Sequence, residues 1–258
     1  MVIGILKKIL FYILLILIWE GIYKLGVDIL KIWKLYIFPS PIDVFKTLVV
    51  LIKDNTMSVA IGASLKRIIV GYSISIVLGV IIGFAIAKFK YLEENVGPLI
   101  LGLQTLPSIC WLPFAILWFG LSESSIIFVI AIGSTFAVAI GVKYAIKNVN
   151  PLYIRAARTM GAKGSKVYTQ VILPAALPDI VSGLKQGWSF AWRALMAGEM
   201  LSSTKGLGQV LMVGRDLADI SQVVAVMITI IVLGLLVVKL IFERLEKNMR
   251  HRWGLDRK

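Results

Sequence analysis

Side chains able to bind metals or support redox chemistry are almost missing from this 258-residue sequence, in which Cys110 is the one cysteine and His251 the one histidine. A lone cysteine excludes an intrachain disulfide and a cysteine-based metal cluster. A lone histidine excludes a His-pair zinc site. There is no G-x-x-x-x-G-K-[ST] loop to cradle the phosphates of ATP, and neither an H-E-x-x-H helix nor a G-x-S-x-G elbow occurs. The motif basis for an ATPase, a metalloprotease or a serine hydrolase is therefore lacking. Internal repeats and low-complexity tracts are absent as well. Acidic charge is also scarce, with 14 Asp and Glu against 28 Lys and Arg for a formal charge of +14. The basic residues lie mainly between apolar runs rather than in one soluble patch, so lipid and topology explain them and nucleic acid does not.

What the sequence has in abundance is apolar surface. It is 59% hydrophobic and 16% charged, with a mean hydropathy of +0.89, a composition suited to a bilayer rather than to water. A crossing needs about 20 mostly apolar residues. Six spans are expected, at about residues 9–27, 66–87, 96–119, 125–145, 180–201 and 220–242, within a single membrane domain covering residues 1–258. The fifth is the least apolar, because Lys185, Arg193 and Glu199 interrupt it. Lys7 and Lys8 before residues 9–19 look like the start of a signal peptide. No small-x-small cleavage site follows, and Trp19, Trp33 and Tyr36 suit the membrane interface, so an uncleaved first span is expected.

Six spans place both termini on one side. Lys7, Lys8 and the basic tail after Phe242 put that side in the cytoplasm, giving a multi-pass protein of the cell membrane. The connection between spans four and five agrees: residues 143–178 hold Lys143, Lys147, Arg155, Arg158, Lys163 and Lys166 and no acid. The segment 28–67 fits less well, since it is assigned outside yet has six basic residues against three acidic ones. Within it, Phe38-Pro39-Ser40-Pro41 is a rigid lead-in and residues 42–53 read as a short amphipathic helix at the interface. Gly79 and Gly83, four apart in the second span, suit close approach of a neighbouring helix.

Residues 153–174 are the most informative stretch. They read as two short helices separated by Gly161 and Gly164 and closed by Pro174, within a cytoplasmic loop at 146–178. The pattern resembles the signature of the integral membrane permeases of binding-protein-dependent ABC importers: Glu-Ala-Ala, three residues, Gly, nine residues, Ile, one residue, Leu-Pro. Ala156 and Ala157, Gly161, Val171, and Leu173-Pro174 occupy its positions, while Arg155 stands where the pattern has Glu. Phe38-Pro39-Ser40-Pro41, Leu106-Pro107, Leu117-Trp118-Phe119-Gly120, Leu173-Pro174-Ala175-Ala176-Leu177-Pro178, Glu199 with Gly206-Leu207-Gly208, and Arg252-Trp253 are similar to the nitrate, sulfonate and taurine branch.

The resemblance implies an all-α membrane protein with the core of a type I importer permease. Arg155, Ala156, Ala157, Gly161, Ala162, Lys163, Val171, Leu173 and Pro174 would then form the segment that couples to cytoplasmic ATPase subunits. ATP and Mg would be bound by those partners, with no cofactor in this chain. A second permease copy, completing a homodimer, and an extracytoplasmic substrate-binding protein are the other implied partners.

The pathway is sought where backbone or charge is out of place in lipid. Pro98, Pro107 and Pro113 are expected to break or kink the third span, and irregular backbone at membrane depth is tolerated where it lines a cavity. Gln104, Thr105, Pro107 and Ser108 are candidates there, with Trp188, Trp192, Arg193 and Glu199 from the fifth span. Arg193 has two readings: it attracts an anionic substrate, or it pairs with Glu199 or another acid to hold helices together. An ion-gradient-driven transporter and a non-transporting scaffold are the alternative classes.

Overall fold

The structure is a computed structural model and describes residues 2–34 and 37–252. Tyr36 and Trp253 lie outside the described residues. Every regular element among the described residues is helical, as expected where no water is available to backbone amides and carbonyls and each segment must satisfy its own.

Helix α1 (Val2–Tyr23) continues through a π-helical turn, Lys24–Ile29. Helix α2 (Pro41–Lys53) starts where Ser40 Oγ accepts from the Asp43 amide at 3.1 Å, with Pro41 in the first turn, where its missing N–H costs nothing. Helix α3 (Thr56–Lys88) has 33 residues, about 50 Å of helix. Helix α4 (Lys90–Thr105) stops at Leu106-Pro107, and a 3-10 turn, Ser108–Trp111, leads into α5 (Leu112–Phe119) at a bend of 99°. Then follow α6 (Glu123–Lys147), α7 (Pro151–Thr159) and the single turn α8 (Ser165–Val167). A π-helical turn, Tyr168–Ile172, merges into α9 (Leu173–Met200). Helices α10 (Leu207–Asp216) and α11 (Ile220–Val237), a π-turn at Val238–Phe242, and α12 (Glu243–Arg252) complete the chain.

Five helical stretches are long and apolar enough to cross a membrane, and the bent α4–α5 pair makes a sixth if counted as one span. Three boundaries differ from the sequence reading, each for a physical reason. Pro174 does not close a helix; it sits where the π-helical turn Tyr168–Ile172 runs on into α9, and such local π adjustment lets a continuous helix carry proline. The long loop expected to reach 178 is thus helical from Ser165 onward, and Pro178 lies inside α9. In the third span only Pro107 breaks the helix: Pro98 lies within α4 and Pro113 opens α5. Helix α3 begins ten residues before the expected 66, because the charges at Lys66 and Arg67 that end the hydropathic run are carried inside a continuous helix.

By internal contacts the chain divides into residues 1–63 with 205–231, and residues 64–204 with 232–258. In the first unit, α1 is apolar on all sides and only 6% of its apolar window is buried, the pattern of a helix that faces lipid. The Trp19 indole donates to the Pro39 carbonyl at 3.1 Å, tying α1 to the residues that lead into α2. Helix α2 buries Val44 and Leu51, seven apart, and leaves the apolar Phe45 and Ile52 exposed beside Lys46 and Lys53.

The core of the second unit is α6, 67% of whose apolar window is buried. Gly79 and Gly83 of α3 both abut it, and a Cβ on Gly79 would fall 2.6 Å from Val138 Cβ. Against α9 the approach is backbone to backbone, since a Cβ on Gly141 would lie 2.7 Å from Gly183 Cα. Lys185 of α9 is neutralised by Glu246 of α12 at 3.5 Å. Because neither Gly141 nor Gly183 has a side chain that can yield, Gly141→Leu is expected to destabilise the protein by about 3 kcal/mol or more. Gly21→Leu, where nothing lies within 4 Å, is expected to change little. Thermal melting of the detergent-solubilised variants compares the two directly.

Candidate functional site

Helix α7 is defined at both ends by local bonds. Asn150 caps it, accepting from the Leu152 amide at 2.9 Å, and Pro151 fills its first turn. At its other end the Ala156, Ala157 and Arg158 carbonyls accept from the amides of Met160, Ala162 and Gly161 at 3.0, 2.9 and 3.0 Å. Gly161 at φ +90° and Gly164 at φ +56° make the two reversals that lead into α8. Both are left-handed conformations that L side chains enter only at a cost. Nothing lies within 4 Å of a Cβ built at either one, so backbone conformation and not space calls for glycine.

The hairpin so formed encloses a groove of about 880 Å³. Ala156, Ala157, Gly161, Ala162, Val171 and Pro174 line it, with Tyr153 and Met160 at its edge. Tyr153 and Met160 are exposed, Met160 at 86%, an apolar display that a soluble loop avoids and a docking surface uses. Three residues grouped with these in the sequence lie elsewhere. Arg155 is exposed and its carbonyl accepts from Thr159 Oγ1 at 3.1 Å. Leu173 packs against the core. Lys163 lines a separate cavity on the other side of the hairpin.

A second cavity, about 400 Å³, opens at the break between α4 and α5. Gln104, Thr105, Pro107 and Ser108 line it from one side and Arg193 and Phe190 from the other. The break and the charged face of α9 are therefore brought together. Room for Ser108 comes from Gly133 of α6, where a Cβ would lie 2.8 Å from Ser108 Cβ. Arg193 Nε donates to the Ser189 carbonyl at 3.1 Å and its guanidinium lies 4.6 Å from the Phe190 ring centre. Among the described residues it forms no salt bridge.

Trp188, Trp192 and Glu199 are not in this cavity. Trp188 is buried against Tyr72, Trp192 and Phe242. Trp192 packs beside Gly234. Glu199 is fully buried, and its partner is not Arg193 but Arg67 of α3, whose Nη1 donates at 2.8 Å. Ser64 Oγ lies 2.8 Å from each Glu199 oxygen, and Arg67 also reaches the exposed Glu123 at 3.1 Å. Sequence reading missed Arg67, Ser64 and Glu123. The available signal was the i, i+3 spacing of Ser64 and Arg67, which puts both on one helix face, opposite the one deeply placed acid of span five.

A helical membrane bundle with a broken span, a cavity at the break and a helix-glycine-helix hairpin is the architecture of a transport subunit. The chain belongs to the family described as binding-protein-dependent transport system inner membrane component, whose model matches residues 75–251. A Bacillus subtilis chain named for aliphatic sulfonates transport is 31% identical over 250 residues, 97% of this chain and 88% of that one. The nitrate import permease protein NrtB of Synechocystis is 30% identical over 207 residues, 77% and 75% of the two chains. In fold, the chain is similar to a subunit in inward-facing structures of the MetNI methionine ABC transporter, with a TM-score of 0.66 and 20% identity over 75% of this chain and 96% of that one.

Breaking a buried ion pair on one side leaves the other charge uncompensated, at a cost of about 3–5 kcal/mol. Glu199→Ala is expected to lower stability by that amount, and the pair replacement Arg67→Met with Glu199→Leu to recover most of it. Melting curves of the three proteins test this; a wild-type melting point for Glu199→Ala would contradict the pairing.

Proposed function

We infer that the chain is the translocation subunit of an ATP-driven importer for a small anion of the sulfonate, taurine or nitrate kind, working as a homodimer with its termini in the cytoplasm. The observation that carries the coupling role is the groove at Ala156, Ala157, Gly161 and Val171, an exposed, largely apolar surface on a rigid hairpin in the most basic connection of the chain. A separate ATPase subunit, holding ATP and Mg, seats there, and small alanines permit close docking. Nucleotide-driven closure of the ATPases turns the permease outward to receive substrate from an extracytoplasmic binding protein, and hydrolysis resets it. The relatives named for sulfonates and nitrate support the anion class.

Substrate passes the break at Pro107. Arg193 is the cation available to it, while Gln104, Thr105 and Ser108 offer polar atoms in place of water. An ion-gradient mechanism is disfavoured because Glu199, the acid placed to carry a proton, is occupied by Arg67 and Ser64. A scaffold without transport activity has no need of a cavity at a broken span.

Gly161→Asp adds a charge and forces a left-handed backbone on a non-glycine residue, costing about 1–2 kcal/mol locally. Uptake in proteoliposomes is expected to fall at least ten-fold while the permease still folds. Normal uptake with normal ATPase stimulation would defeat the coupling role. Arg193→Gln is expected to reduce anion uptake about ten-fold or more and to leave binding-protein-stimulated ATP hydrolysis near wild type. Unchanged uptake would remove Arg193 from the path without touching the coupling role.

A further inference from the structure

The hairpin that carries the apolar groove has a second face with different chemistry. There a cavity of about 870 Å³ lies between the foot of α3 and residues 154–172. Lys88, Arg158 and Lys163 line it with the hydroxyl-bearing Ser165, Tyr168 and Thr169, and no acid does. None of the three cations forms a salt bridge among the described residues. The Lys88 ammonium lies 5.9, 5.4 and 5.8 Å from the ring centres of Phe84, Phe89 and Tyr168. Ring quadrupoles position such a cation without neutralising it. Three positive charges thus converge on an open cavity with no countercharge.

The surface above the cavity identifies what kind of anion fits. Counting back from Lys88 at helical spacing, Phe84, Ile81, Val77, Ile74 and Val70 share one face of α3. Ile81, Val77, Ile74 and Val70 are 61, 58, 41 and 42% exposed. An apolar stripe along a membrane-length helix therefore ends on a cation cluster. A soluble anion would use only the cluster, whereas an amphiphile with a phosphate head uses both.

We propose that this cavity binds the phosphate headgroup of an anionic membrane lipid, with an acyl chain lying along the α3 stripe. Basic pockets at the cytoplasmic ends of membrane helices have the charge to hold such headgroups. The lipid fastens the back of α7 to the bilayer and leaves the front groove free. Anionic lipid content then sets how firmly the hairpin is held. This last consequence rests on the hairpin's role as the docking segment; the binding site does not.

The test is native mass spectrometry of the full-length chain in mild detergent with equal phosphatidylglycerol and phosphatidylcholine. The wild-type chain is expected to retain phosphatidylglycerol preferentially. Lys88→Gln, Arg158→Gln and Lys163→Gln should each reduce that preference about five-fold, from roughly 1 kcal/mol per cation, and together abolish it. A control removing the same charge elsewhere, Lys31→Gln with Lys46→Gln and Lys53→Gln, keeps it. If the triple variant fails to fold, the single Lys88→Gln carries the test. Equal retention of both lipids by the wild type, or a preference that survives the triple variant, overturns the proposal. So does displacement by millimolar inorganic phosphate, which assigns the site to a free anion, or by stoichiometric ATPase subunit, which assigns the cations to a protein interface.

Discussion

In hydrocarbon a backbone amide or carbonyl has no water to fall back on, and the arrangement of this chain follows from that constraint. It makes every regular element among the described residues helical. It also makes the interruption at Leu106-Pro107 meaningful. Thr105 Oγ1 donates to the Gly102 carbonyl at 2.6 Å and the Cys110 amide to the Pro107 carbonyl at 2.9 Å, so the break is closed by local bonds. Gln104, Thr105 and Ser108 line the cavity shared with Arg193. Charge obeys the same rule. Lys185 is matched by Glu246, Glu199 by Arg67 and Ser64, and Glu93 by Lys147. Arg193, which forms no salt bridge among the described residues, lies at the cavity.

The interior of the second unit is tightly packed. Helices α6 and α9 touch backbone to backbone at Gly141 and Gly183, and α9 runs without a gap from the hairpin past the cavity at the break to Glu199. The helix that follows the hairpin is therefore the one that presents Arg193. The buried Arg67–Glu199 contact ties the opposite end of α9 to α3. Helix α9 thus borders the groove, the cavity and the ion pair.

The hairpin and the break were legible in the sequence for a common reason. Gly161, Gly164 and Pro107 act through the backbone, and a backbone effect is local. Their neighbours in the chain suffice to interpret them. The ion pair was not legible because it is a relation between α3 and α9, 132 positions apart, and because Arg67 sat at the edge of an apolar run, where a cation ordinarily marks the membrane surface. Pro174 was read as a stop, since proline ends helices more often than it starts one fused to a preceding turn. Trp188 and Trp192 lay on the span that holds Arg193, yet in a helix of 3.6 residues per turn neighbours in sequence face different ways. Only tertiary packing reveals which of them turn inward.

The central claim is that the front of the 151–175 hairpin seats on a separate ATPase. Photocrosslinking from an unnatural amino acid at position 157, in membranes containing the cognate ATPase, tests it most directly. The account predicts an ATPase adduct from position 157 and none from position 77 on the lipid-facing stripe. Crosslinks from 157 to lipid alone, with ATPase captured from another surface, would contradict it.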